Sequence, residues 1–207
     1  MVEALPVDTR TARFMTWFAL IVALASDAVY LSLTRGQASG QQGLVLDVFT
    51  LPFAAGYVFV LAAMLAASLM HRWKPAVRTS LRAAASGGLL VLGVIAIFSI
   101  GLPLVIAGAM ATGATVRTLR GPMFTRSSVS AVAAAIAVVV VLVAGFEVTE
   151  RMIVCPGQGT VTGGGSGFVT GPYHYECING RLGFHSGSCN GATATIDSSG
   201  NVTSSGC

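Results

Sequence analysis

The chain has 207 residues, of which 54% are hydrophobic and only 10% charged, and its mean hydropathy is +0.76. That balance excludes an ordinary soluble domain and points to a membrane protein. The net charge of +4 does not point to nucleic acid, because the basic residues sit in short segments between apolar runs, where they act as topology determinants. Lys74 is the only lysine, and with the abundance of Arg, Ala, Val and Gly this reads as the product of a GC-rich bacterial genome.

Residues 1–13 are polar and carry Arg10 and Arg13 just ahead of the first apolar run, 14–33. About twenty apolar residues suffice to cross a bilayer, so this run is predicted to span. A cleaved signal peptide is the rival, since Ala23-Leu24-Ala25 fits a small-x-small site. The run nevertheless stays apolar through Val29, Tyr30, Leu31 and Leu33, where a cleavage region turns polar. Asp27 is the one carboxylate clearly inside an apolar span. Its ionised form is costly there, which makes it a candidate for binding a proton or a cation. Against that stand hydration near the outer interface and a bond to Ser26, Tyr30 or a neighbouring helix.

After a polar loop at 34–43 holding Arg35, residues 44–70 are apolar. Twenty-seven residues make ~40 Å of helix, more than one comfortable crossing, and Pro52, suited to a first helical turn, places the span at about 52–73. The connection 71–82 is the most basic in the chain, with Arg72, Lys74, Arg78 and Arg82. Residues 83–116 then run without a charged side chain, ~50 Å as one helix. Gly101 and Pro103 interrupt this stretch, so two spans are predicted, about 82–100 and 102–117, joined by a tight turn. A re-entrant hairpin is the alternative for the second. A basic segment with Arg117, Arg120 and Arg126 leads to an Ala/Val-rich span at 129–146.

Five crossings put nine basic residues on one side, Arg10, Arg13, Arg72, Lys74, Arg78, Arg82, Arg117, Arg120 and Arg126. Only Arg35 and Arg151 then flank spans on the other side. This asymmetry predicts a cytoplasmic N-terminus and an extracytoplasmic C-terminus, with Trp17 and Trp73 at the cytoplasmic interface. Glycines at 87, 88, 93, 108 and 113 permit close helix packing. Asp47, Glu147 and Glu150 map to the outer rim, where such charges are expected to be solvated.

Residues 152–207 form a glycine-rich tail that holds all four cysteines, Cys155, Cys177, Cys189 and Cys207. Their spacing includes no close pair of the kind zinc sites use, so two disulfides in an oxidising compartment are expected. Asn179-Gly180 predicts a two-residue hairpin turn in which Cys177 faces Leu182, Tyr175 faces Phe184 and His174 faces His185. Alternation puts Tyr173, Tyr175, Cys177, Leu182 and Phe184 on one face, and His174, Glu176 and His185 on the other, a candidate divalent-metal set. A second hairpin is expected at 193–203. That favours Cys155 with Cys177 and Cys189 with Cys207, although spacing alone leaves three pairings open. Ser166, within a run of glycines, reads as part of a linker.

The expected architecture is an all-α membrane bundle of five transmembrane helices over 14–151, followed by a small disulfide-stapled β-rich extracytoplasmic tail, in the cell (inner or plasma) membrane. No P-loop, metalloprotease, hydrolase-elbow or dinucleotide motif is present, and no cofactor is expected. The function expected first is that of a non-catalytic accessory or structural subunit of a larger bacterial envelope or respiratory membrane complex, partnered by the lipid bilayer and other membrane subunits. A small transporter using Asp27 and an outer-face binding or sensing module are the alternatives, and an enzyme ranks last.

Overall fold

The computed structural model describes residues 10–40, 49–119, 124–155, 157–187, 194–196 and 202–204. In chain order these form α1 (Arg10–Gly40), α2 (Thr50–Leu69), α3 (Pro75–Ile95), a π-helical turn (Ile97–Gly101), α4 (Leu102–Leu119) and α5 (Phe124–Thr149). The strands β1 (Thr160–Gly167), β2 (Gly171–Ile178), β3 (Arg181–Ser186), β4 (Ala194–Ile196) and β5 (Val202–Ser204) follow. The chain divides into two units, Met1–Gln41 with Pro52–Ala144, and Gln42–Leu51 with Gly145–Cys207.

Among the described residues three helices are long and apolar enough to cross a membrane, Arg10–Thr34, Thr50–Leu69 and Ser128–Thr149, which points to a membrane protein. The stretch Leu102–Thr118 is apolar but shorter. α3 differs from the expected third span because it starts at Pro75 rather than Arg82, so Arg78, Thr79, Ser80 and Arg82 occupy its first turns. Proline suits that position, since its missing N–H is one that a helix start leaves unbonded anyway. The basic connection between α2 and α3 thereby shrinks to Met70, His71, Arg72, Trp73 and Lys74.

The break at Gly101 and Pro103 falls where expected. The Gly101 N–H donates to the Ala96 carbonyl (2.8 Å), a wide i to i−5 closure, and α4 starts at the next residue with Pro103 in its first turn. The chain reverses there and α4 packs back along α3. A Cβ on Gly93 would lie 2.8 Å from the Val105 backbone nitrogen, so glycine is what allows the two backbones to approach. α4 also packs on α1, whose buried face comprises Ala12, Thr16, Ala19, Ala23, Ser26 and Asp27 at helical spacing. The buried hydroxyls bond within their own helices: Thr16 to the Ala12 carbonyl, Ser26 to Val22 and Thr115 to Ala111, each at 2.8 Å. Such back-bonding is how a hydroxyl avoids being orphaned in a dry bundle.

In the second unit β1, β2 and β3 form an antiparallel sheet in that order, and β4 pairs with β5. Asn179 and Gly180 both have positive φ, 47° and 82°, as a type I′ turn needs. The register is the expected one: Cys177 opposite Leu182, Tyr175 opposite Phe184, His174 opposite His185. The second hairpin pairs Thr195 with Thr203. The glycine-rich run at 163–167 is not a linker but the body of β1, with Gly163 opposite Tyr175 and Gly165 opposite Tyr173. The physical reason is room. A Cβ on Gly163 would overlap the Tyr175 ring, and one on Gly165 would come within 2.6 Å of the Tyr173 hydroxyl, so bare backbone lets each tyrosine lie across the neighbouring strand.

Candidate functional site

Asp27 is only 7% exposed on the α1 face that meets α4, and among the described residues its Oδ1 has no hydrogen-bond partner. The bond to Ser26 weighed from the sequence is not made, because that hydroxyl is turned to the Val22 carbonyl. A buried carboxyl oxygen in an apolar bundle can take up a proton or a cation, the candidate role set against hydration or a local bond for this residue.

The helical unit holds a second buried polar centre that sequence reading places in a solvated loop. Arg82 is 1% exposed, and its Nε donates to the Ser68 hydroxyl (3.3 Å), while the Arg78 Nε donates to the Ser68 carbonyl (2.8 Å). Both guanidinium groups therefore close the C-terminal end of α2, where unpaired carbonyls and the negative end of the helix dipole favour cations. The four-residue spacing of Arg78 and Arg82 was the available signal. Across the bundle the Tyr57 hydroxyl of α2 donates to the Val138 carbonyl of α5 (2.9 Å). Beside that bond α2 and α5 enclose an apolar groove of about 490 Å³, lined by Phe53, Gly56, Tyr57, Met64, Ala137 and Val141.

The tail is built along the segment that leaves α5, and three ties follow one another up the chain. Glu147, in the last turn of α5, accepts from the Val169 N–H at Oε1 and from the Thr170 hydroxyl at Oε2, both at 2.6 Å. The Glu150 carbonyl accepts from the Tyr173 hydroxyl (3.3 Å). Cys155 and Cys177 form a disulfide, with Cα atoms 5.4 Å apart. Of the two expected pairings this one is present, and Cys189 and Cys207 lie outside the described residues. Glu147 is thus a rim charge held by two exposed hydrogen bonds to the tail. An acid in the last turn of a helix opposes the dipole, and two charge-assisted bonds give it a reason to be there.

The tail's apolar face gathers around these ties. Cys177 is fully buried and Tyr175 nearly so, Tyr173 stacks on Phe184 with ring centroids 5.5 Å apart, and the Arg151 guanidinium lies 5.9 Å from the Phe184 ring. Thr50, Glu150, Ser166, Tyr173 and Tyr175 line a cavity of about 250 Å³, in which the Thr50 hydroxyl has no partner among the described residues. Its size and lining suit a few waters or a small polar molecule. On the opposite face His174 and His185 are cross-strand neighbours, while Glu176 faces Gly183. Among the described residues no three His, Cys, Asp or Glu side chains gather into a metal-holding group, so His174, Glu176 and His185 share a face without converging.

No protein-family model matches the chain, and neither a curated protein nor a solved structure matches it.

Proposed function

We propose that the chain is a non-catalytic integral membrane protein, an accessory or structural subunit of a larger bacterial envelope or respiratory assembly, with a disulfide-bonded tail that makes contacts outside the membrane. In this reading five helices cross the cell membrane, the N-terminus is cytoplasmic and the tail extracytoplasmic. The reversal between α3 and α4 and the one-sided distribution of basic residues support that topology.

The observation that carries the subunit reading is the surface of α5. Only 11% of its span is buried within the chain, against 33% for the spans in α1 and α2. Val129, Val132, Ile136 and Val140 are exposed at helical spacing, with Ala133 and Ala137 beside them. Lipid covers an apolar helix face as well as protein does, but small residues four apart let a second backbone come close, which favours a partner helix. Gentle detergent extraction from native membranes, followed by mass analysis of the intact assembly, tests this. Stoichiometric membrane subunits are expected with the native chain and not with an Ala133→Leu, Ala137→Leu protein of unchanged helicity. Recovery of the native chain alone would overturn it.

A second reading, a small proton- or cation-translocating protein, is favoured by the burial of Asp27, whose Oδ1 has no partner among the described residues. In reconstituted vesicles it expects a flux that Asp27→Asn abolishes. An unchanged flux would remove it.

A further inference from the structure

We propose that the β1–β2 turn is a membrane anchor, in which Phe168 and Val169 sit at the headgroup–acyl boundary of the leaflet where α5 ends. This rests on the membrane reading of the span Ser128–Thr149. Phe168 is 58% exposed and Val169 78%, two neighbouring apolar side chains at the tip of a hairpin, with no charged residue in the turn.

Their depth follows from what the turn is tied to. The Val169 N–H and the Thr170 hydroxyl both bond the Glu147 carboxylate, and Glu147 lies two residues before the end of the span, ~3 Å along the helix axis. The interfacial layer on each side of the hydrocarbon is ~5–8 Å thick, so a turn bonded to that residue lies within it. Gly167 keeps the approach open, since a Cβ there would come within 2.6 Å of Glu147 Oε2. The order of the ties also orients the sheet. Glu147 holds residues 169 and 170, Glu150 holds Tyr173, and Cys155 holds Cys177, so β2 runs away from the helix end and the Asn179-Gly180 turn is the far tip. Two side chains are far too little for a stable protein interface, which buries more than ~1,000 Å². A lipid surface accepts them singly, and aromatic residues are favoured at that level.

The test uses the full chain in phosphatidylcholine vesicles carrying brominated acyl chains, with Trp17→Phe and Trp73→Phe removing the native tryptophans. Single tryptophans are then introduced by Phe168→Trp, by Ile178→Trp at the far end of β2, and by Val132→Trp on the exposed face of α5. The Phe168→Trp protein is expected to show blue-shifted emission and to lose much of it to the bromine quencher, and the Ile178→Trp protein to show neither. Emission from Phe168→Trp that matches Ile178→Trp while Val132→Trp is quenched would overturn the anchor and leave the span standing. An unquenched Val132→Trp would remove the span and the anchor together.

Discussion

In the helical unit the small buried hydroxyls turn back on their own helices while Tyr57, Arg78 and Arg82 reach a neighbouring one, whereas in the tail polar groups tie distant segments to one another. Thr16, Ser26 and Thr115 each bond a carbonyl one turn back, and glycine at Gly93 lets α3 and α4 meet backbone to backbone. The tail has little apolar surface to bury. It uses a disulfide, a carboxylate bonded to a turn, and tyrosines laid over bare glycine strands. The difference teaches that shape holds the helices in a medium offering no hydrophobic drive between them, while a small exposed sheet depends on a few specific links.

Removing the largest of those links should break the comparison most sharply. Cys177→Ser opens a 22-residue loop and removes the bridge beneath Tyr175, which should cost the tail about 3 kcal/mol and expose it to protease. Far-ultraviolet helicity should stay unchanged, because the bridge joins two residues of the tail. Loss of helical signal together with the tail would show that the two units stand or fall together.

The matching blow to the helical unit is Gly93→Leu, which forces a side chain onto the backbone of Val105. Overpacking of this kind should lower stability to denaturant in detergent by about 1–3 kcal/mol, with the tail disulfide still intact by mass. A smaller effect is expected from Tyr57→Phe, which deletes the single hydroxyl bond from α2 to Val138 while keeping the ring. Interhelical bonds in membranes average about 0.6 kcal/mol, and equilibrium unfolding should read a loss of that order. A much larger loss would mean that polar ties matter in the helices as they do in the tail.

Of the five spans expected, three correspond to helices long and apolar enough to cross a membrane, and they, the break before Pro103 and the 177–182 hairpin register are legible in the sequence. Each is written in a local pattern: a run of apolar residues, a Gly/Pro interruption, or alternation around Asn-Gly. The start of α3 was misread because Arg78 and Arg82 look like loop residues when counted as charges, although Pro75 and their four-residue spacing are helix signals. The glycine run of β1 looks unstructured by composition, and only the strand pairing sets Gly163 and Gly165 opposite Tyr175 and Tyr173.

By itself, then, the sequence determined the apolar helical runs, the 177–182 hairpin and where the chain reverses, because those depend on neighbours within a few residues. Only the tertiary structure decided that Arg82 is buried at the end of α2, that Asp27 Oδ1 has no partner among the described residues, that α5 keeps an open face, and that Glu147 grips the turn carrying Phe168 and Val169. Each of these depends on which surface arrives from elsewhere in the chain, and nothing in the residues around it records that arrival.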